Sequence, residues 1–515
     1  MRFGKLLTLI LAICLIFSFT ACDTLNSIIE KHFTAEDSKP GTDNWPPQIG
    51  GKGDNDSGTT PPDDSNDDGD DNGDDNGDDD GSYSDDYSYV NIVMINDNHG
   101  YLNEESGSLD KIASGISGYE ALGEVVKVAN GDIFQGTYVS STLRGLPMLD
   151  ALNALDFDAF VIGNHEFDWG FDEIKKYKDG DLTNGEAEFP FLGANIYDKR
   201  TGEMVDWLEP YTIVEADGIK IGIIGVIGEL ESSILASHVA DYDFLAPAEI
   251  VKDLASELRT DKECDVVIVA AHADDSTFNY TLATYDDFSK IDGILNGHSH
   301  TPVDKEITRN DGQNICVLQN GGNGESFATL TLMFDEEGNL ADTDGKLNYT
   351  GNYAATGILS PVFEKYAEHI AEGETLLFTS DEEISRYDIG IKIAYSMYSK
   401  YGVDLAVINS GGVRAAVDAG DVTYADIFRV LPFENEVYIV TLTGELLKSY
   451  LQQAGGIYYW GIYAEYIVDT EYYELAIVDY VYLGSYFEDY RNDTCIDTNE
   501  LIRDVFIEFI LDAAS

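Results

Sequence analysis

Eight residues, GNHEFDWG from Gly163 to Gly170, set an amide (Asn164), an imidazole (His165) and two carboxylates (Glu166, Asp168) side by side. They follow Phe157 to Ile162, an apolar run that reads as a buried strand. Short polar groups gathered just past a buried strand do little for folding and much for chemistry, because in open α/β sheets ligands sit beyond the carboxyl ends of the strands. The pattern recurs. Val90 to Ile95 leads to Asp97 and His99, and Val125 to Ala129 to Asn130 and Asp132. Asp265 to Ala271 leads to His272, Asp274 and Asp275, and Asp292 to Asn296 to His298 and His300. The chain has 8 histidines, and five of them stand at these ends. Any one alone fits a structural histidine; the joint placement does not.

Asp, His and Asn are donors for divalent metals of mixed nitrogen and oxygen preference, such as zinc or manganese. Two such ions about 3.5–4 Å apart form a clamp for in-line phosphoryl hydrolysis. The pair needs one bridging carboxylate and roughly three further protein ligands for each ion. Asp97, His99, Asp132, Asn164, His272, His298 and His300 supply that number, with Asp132, in a Gly-Asp turn, as the bridge. His165 neighbours Asn164, so its ring is expected to point elsewhere and stay free of metal. A free imidazole beside the clamp suits transition-state stabilisation or protonation of a leaving group. Asp168, three residues on, is placed to orient it and hold its proton. Glu166 reads as a support residue and Ser299 as a turn residue. His32, His238 and His369 read as surface residues.

These side chains need a scaffold. From Tyr89 to Asp335 strand-like and helix-like runs alternate, as in a layered α/β fold. Leu146 to Leu155 reads as a short helix, Ile219 to Ile227 as a core strand, and Pro247 to Leu258 as a helix with apolar spacing near 3.6. Ile315 to Leu318 and Phe327 to Phe334 read as closing strands. Ser360 to Glu374 is a linking helix entered through Pro361. A second unit follows. Ile389 to Tyr401 is helical, and Asp404 to Ile408 is a strand ending in Asn409-Ser410-Gly411-Gly412-Val413-Arg414. Tyr424 to Leu431 is a helix running into Pro432-Phe433, Val437 to Leu442 a strand, Thr443 the cap of a helix ending near Gly455, and Leu501 to Ala514 a last helix. At 515 residues two domains are expected.

The net charge of -66 argues against a nucleic-acid polymer as partner. It also disfavours anionic substrates unless a metal or local cations override the field. Arg2 and Lys5 precede an apolar run, Leu6 to Phe19, too short to span a membrane, then Phe19-Thr20-Ala21-Cys22. Residues 1–21 therefore read as a lipoprotein signal peptide, with Cys22 as the lipid anchor holding an exported protein at the outer face of a bacterial cell membrane. Residues 22–88 are rich in Asp, Gly, Asn and Ser and read as an extended, disordered tether. The catalytic domain is placed at 89–335, an interdomain linker at 336–374 and the second domain at 375–515. Cys264, Cys316 and Cys495 form no disulfide framework and read as buried thiols.

Asp97-x-His99, Gly131-Asp132, Gly163-Asn164-His165-Glu166, His272 and Gly297-His298-Ser299-His300 resemble the calcineurin-like metallophosphoesterases. INDNHG, GDIFQG, GNHEFDWG and GHSH, with INSGGVRAAVDAGDVTYADIFRVLPFENEVYIVTLTGELL (Ile408 to Leu447), are similar to the 5'-nucleotidase family. That resemblance implies a four-layer metallophosphoesterase sandwich followed by a smaller α/β nucleotide-binding domain. It implies one metal on Asp97, His99, Asp132 and His300, and a second sharing Asp132 and taking Asn164, His272 and His298. His165 with Asp168 would be the catalytic pair. Asn409 and Arg414 would contact the nucleotide, Phe433 and Tyr480 would clamp its base, and Arg386 would reach the phosphate. Rotation of the second domain about the linking helix would carry substrate to the metals. The family's Gly-Gly-Asp turn near the end is replaced by Gly484-Ser485-Tyr486. The implied activity is removal of phosphate from nucleotides. The alternatives are a 2',3'-cyclic-nucleotide phosphodiesterase or nucleotide-sugar hydrolase on the same metals, and a non-catalytic surface ligand-binding protein. No protein partner is evident.

Overall fold

The structure is a computed structural model that describes residues 87–102, 108–230, 233–285 and 288–514. The signal segment, Cys22, His32 and all but the last two residues of the tether lie outside the described residues.

Two six-stranded sheets lie face to face. Leu340–Tyr349, Ser326–Phe334, Ser88–Ile95, Val125–Asn130, Ala159–Val161 and Phe191–Leu192 make one, in that spatial order. Val303–Thr308, Asn314–Gln319, Gly293–Leu295, Val266–His272, Ile219–Ile227 and Tyr211–Ala216 make the other. Strand alternation sends side chains to opposite faces. Ile92, Met94, Val126 and Val128 of the first sheet meet Ile221, Ile223, Ile268 and Leu318 of the second in an inner core. The outward face of the first sheet, through Val93, Ile95 and Phe160, buries the helices Leu109–Glu120 and Leu146–Ala154. That of the second, through Val267 and Val269, buries Pro247–Thr260 and Ser276–Leu282. The result is the four-layer sandwich that the motifs implied.

The helix Ser360–Gly373 leads to a second unit. Its five-stranded sheet runs Ile457–Gly461, Leu405–Asn409, Tyr472–Val478, Glu436–Thr443, Ile496–Leu501, with Arg386–Tyr401 and Ile502–Ala514 packed on it. The Thr443 hydroxyl does accept from Leu446 N–H, capping Gly444–Gln453. The two units meet through aromatic edges: Tyr138 packs against Tyr424 at 5.3 Å and Phe428 at 5.5 Å.

The strand expected over Phe157 to Ile162 is only Ala159–Val161. Several edge strands carry no apolar run to announce them; Val303–Thr308 and Ile496–Leu501 are mostly exposed or half-exposed. Cys264 and Cys316 are buried and Cys495 partly so, all as free thiols. No helix among the described residues is long and apolar enough to cross a membrane.

Candidate active site

The central strands Ser88–Ile95, Val125–Asn130 and Ala159–Val161 are mutually parallel, as are Ile219–Ile227, Val266–His272 and Gly293–Leu295. Each set therefore delivers its carboxyl ends to one edge. The first brings Asp97, His99, Asp132, Asn164 and His165; the second brings His272, His298 and His300. All the expected metal ligands converge on the seam between the sheets. Donor atoms of Asp97, His99 and His300 lie within 4.8 Å of one another, as do those of Asp132, His272 and His298. A third set, His99, Asp132 and His165, is as close. The His165 imidazole, expected to point elsewhere, thus has a ring nitrogen within 4.8 Å of donor atoms of His99 and Asp132.

Contacts specify the ring orientations. His99 Nδ1 is 2.9 Å from the Gln135 carbonyl oxygen, so that nitrogen carries the proton and Nε2 turns inward, 3.0 Å from His300 Nε2. His272 Nδ1 is likewise 2.9 Å from the Asn130 carbonyl oxygen, leaving Nε2 at 3.1 Å from Asp132 Oδ2 and 3.2 Å from Asn164 Oδ1. The same Asn164 oxygen is 2.9 Å from His298 Nδ1. Backbone carbonyls fixing the outer nitrogen of inward-facing histidines are the usual support of metal-ligating imidazoles.

The electrostatics ask for cations. Asp97 and Asp132 are buried, and among the described residues neither pairs with Lys or Arg. Burial raises the Asp97 carboxyl despite His272 and His300. Burial would raise Asp132 too, but His272 and His165 pull it well below the usual range. Burial opposes a proton on His272, yet Asp132 lifts it to about 10. Burial and the charge of His272 push His298 down to about 4, and burial with His300 and His165 holds His99 low. Converging lone pairs of carboxylate, amide and imidazole are the donor set of a borderline divalent ion, so these residues fit the metals that the sequence implied.

Backbone strain marks the same positions. Five of the eleven non-glycine residues with left-handed φ among the described ones are Asp97, His99, Asp132, His298 and His300. Such conformations cost on the order of 1–3 kcal/mol each and persist where the surroundings over-determine them.

His165 Nδ1 is 2.8 Å from Asp168 Oδ2. Burial lowers its affinity for a proton, but Asp168 and Asp132 outweigh that and raise it above the ordinary value. Glu166 is buried, and its carboxylate accepts from the backbone N–H groups of Asp132 (2.8 Å), Ile133 (2.9 Å) and Gly163 (2.8 Å). It thereby ties the Asp132 turn to the Asn164 turn, and the support role read from sequence gains a mechanism. A Cβ on Gly163 would meet Asp132 N at 2.5 Å, so only glycine fits there. Glu166→Ala strands these amides without water and is expected to cost on the order of 3 kcal/mol of stability. Chemical denaturation of wild type and variant measures it; equal midpoints would refute the role.

Asn96 and Asn320, and the bridging role of Asn130, escaped the sequence reading. Asn96 and Asn320 exchange amide contacts across the two sheets at 3.1–3.2 Å, and Asn130 Nδ2 donates to the Ala271 and Leu295 carbonyls. They rivet the sandwich behind the metal ligands. Their only signal is an Asn placed where an apolar run stops. His238, expected at the surface, is half-buried, with Nδ1 2.9 Å from the Phe167 carbonyl oxygen. The turn around Ser299 is as expected, with Thr301 N–H donating to its hydroxyl.

The second unit faces this edge. Phe433 stacks on His165, ring centroids 5.5 Å apart at 18°. The Arg414 guanidinium lies over Phe433 at 5.9 Å, remains solvent-accessible, and feels the charges of Asp132, Asp168 and Asp97. Asn409 ends its strand with Oδ1 buried and without a protein partner. Tyr480 opens the helix Asp479–Leu483, half-buried, its hydroxyl pKa raised by burial and by Asp168. Two donors of Arg386, expected at the phosphate, are used within the protein. Its Nε donates to the Val413 carbonyl (2.6 Å) and its Nη2 to the Ser410 carbonyl (2.9 Å), which grips the turn that presents Arg414.

Comparisons with known proteins bear on the family and the fold. A calcineurin-like phosphoesterase family model matches residues 90–302, and a 5'-nucleotidase C-terminal domain model matches residues 378–472. A 5'-nucleotidase of Vibrio parahaemolyticus is 30% identical over 381 residues, 64% of this chain and 66% of that protein. A cell wall protein of Listeria monocytogenes is 27% identical over 446 residues, 71% of this chain and 56% of its own length. The chain thus spans about two thirds or less of these relatives. Among solved structures, a 5'-nucleotidase precursor of Thermus thermophilus superposes with a TM-score of 0.71 at 19% identity, over 82% of this chain and 96% of the other, a likeness of fold.

Proposed function

Because the chain belongs to the 5'-nucleotidase family and is a metal-dependent phosphoester hydrolase, we propose that it removes phosphate from nucleotides outside the cell. The observation that carries this reading is the meeting of Arg414 and Phe433 with the His165–Asp168 pair: an anion fork and an aromatic face beside a cluster of metal donors.

In this reading Asp97, His99, Asp132 and His300 hold one divalent ion, and Asp132, Asn164, His272 and His298 a second, zinc or manganese by donor type. The ions supply charge neutralisation at the phosphoryl oxygens. Asp168 holds the proton on His165 Nδ1 and fixes the ring, so that Nε2 faces the phosphoryl group and donates to the oxygen that gathers charge. Arg414 offers a fixed fork of donors to the phosphate, positioned by Arg386 through the 410–413 turn. Phe433 and Tyr480 hold the base between aromatic faces, and Asn409 supplies an acceptor. Residues 89–335 form the catalytic domain, 336–374 the linker and 375–515 the substrate-binding domain. Residues 1–21 direct export, Cys22 carries the lipid, and 22–88 hold the enzyme off the membrane surface; the cell wall relative accords with an exported protein.

A second substrate class has one observation in its favour. Where the family has its Gly-Gly-Asp turn, Gly484 and Leu483 give their carbonyls to Arg491, and Tyr486 is 86% exposed. None of Gly484, Ser485 and Tyr486 carries a carboxylate to accept from ribose hydroxyls, which suits a 2',3'-cyclic nucleotide, whose 2' and 3' oxygens bear no hydrogen.

The test incubates nucleoside monophosphates, cyclic nucleotides and nucleotide sugars with protein from Ser88 onward and manganese or zinc, and follows both free phosphate and the nucleotide products by chromatography. Fast phosphate release from monophosphates, lost in His165→Ala, is the expected result; ring opening of a cyclic nucleotide, or cleavage of a nucleotide sugar to a monophosphate and a sugar phosphate, without phosphate release from monophosphates moves the assignment to the second reading. Chelation should also lower thermal stability, since ions held a hundredfold above Kd add about 3 kcal/mol per site. Scanning fluorimetry with and without chelator measures this, and an unchanged midpoint contradicts ion binding at the cluster.

A further inference from the structure

We propose that Phe433 and Glu434 form a bolt over His165 that shuts out small phosphate esters and yields to substrates bearing a base. This specificity device rests on the nucleotide reading above. The Phe433 ring lies nearly parallel to the His165 imidazole, 18° apart with centroids at 5.5 Å. It covers the group that would meet a phosphate ester. Its neighbour Glu434 reaches across to the first unit, Oε2 3.0 Å from Arg144 Nη1.

Both ends of the bolt are seated. On the second unit, Pro432 precedes the ring, and the buried Arg503 donates through Nη1 to the Leu431 carbonyl at 2.8 Å while lying over Phe428 at 3.8 Å. On the first unit, Arg144 lies over the Trp169 ring at 5.5 Å, and Trp169 directly follows Asp168. The Arg144 carbonyl accepts from Tyr177 Oη at 2.8 Å, and its φ of 57° is left-handed. A non-glycine residue held in that region is kept there by its surroundings. The latch thus springs from a fixed post beside the catalytic pair.

Selection follows from exchange. A purine or pyrimidine can take over the face of Phe433, so the stack lost with His165 is replaced by one of similar kind. A glycerol phosphate offers no ring, and its entry must lift Phe433 uncompensated. The Arg144–Glu434 pair is partly exposed, so it contributes modestly.

The experiment compares kcat/KM for a nucleoside monophosphate and for glycerol phosphate in wild type, Arg144→Met, Glu434→Gln and Phe433→Ala, at equal metal content and with circular dichroism to confirm folding. The latch variants are expected to raise the glycerol phosphate value about twofold to fivefold, the scale of a half-exposed pair, with the nucleotide value little changed. Phe433→Ala is expected to raise glycerol phosphate turnover and lower nucleotide turnover, each roughly tenfold. Glycerol phosphate values unchanged in all three, or lowered in step with the nucleotide in Phe433→Ala, overturn the bolt. A wild type with no preference for the nucleotide defeats the functional reading instead, and the variants' response to glycerol phosphate still decides the bolt.

Discussion

Asp132→Asn is expected to lower phosphate release on the order of a thousandfold, with metal content falling below that of wild type. Asp132 belongs to two of the three donor clusters, and in the reading proposed above it is the carboxylate that bridges the two ions. Asparagine keeps its shape, and its Oδ1 can still accept from His165 N–H, a contact of 2.8 Å. It also tolerates the left-handed φ of 55° better than most residues. The turn should therefore survive while the charge is lost. Several kcal/mol of charge stabilisation is what a shared anion contributes to a two-ion clamp, and each 1.36 kcal/mol is tenfold in rate. Phosphate release and metal analysis on one preparation read both quantities. Activity within tenfold of wild type at full metal content would falsify the bridging role.

His165→Ala should act differently: a rate loss of about 10²–10⁴ with the metal complement intact. The ring is oriented by Asp168, and although a ring nitrogen lies within 4.8 Å of donor atoms of His99 and Asp132, it is the neighbouring Asn164 whose Oδ1 His272 and His298 face. If His165 gives its proton to the departing oxygen, the loss must shrink for esters of acidic alcohols, which leave without help. Comparing an aryl with an alkyl phosphate shows this. A loss that is the same for both moves His165 from the leaving group to the non-bridging phosphoryl oxygens, and a loss accompanied by missing metal makes it a ligand.

The site was legible because its chemistry is local in sequence. Parallel strands end at one edge, so Asp, His and Asn placed after five apolar runs could be assembled without knowing the sheet order. The order itself was hidden. Nothing in Ser326–Phe334 says that it pairs antiparallel with Ser88–Ile95, more than two hundred residues earlier. Edge strands such as Val303–Thr308 bury too little to write an apolar pattern. The internal contacts of Arg386 were hidden for a related reason: two of its donors go to the carbonyls of Ser410 and Val413. Backbone acceptors leave no mark in a sequence. The amide bridges of Asn96, Asn130 and Asn320 join strands of different sheets, and their partners are again main-chain carbonyls.

The left-handed backbone at Asp97, His99, Asp132, His298 and His300 has a consequence for descent. Glycine adopts such φ values freely, and asparagine or aspartate more easily than histidine. At these positions replacement of a histidine by glycine or asparagine deletes a ligand and relaxes the chain, and the repulsion among crowded imidazoles goes with it. Such changes return part of the stability lost with the ions, so activity filters them more sharply than folding does. A lineage released from selection for turnover can shed the metal centre residue by residue while the four layers stay intact. It would leave well-folded surface proteins that still present Arg414, Phe433 and Tyr480 to a ligand, and catalysis would be the first property forgotten rather than the last.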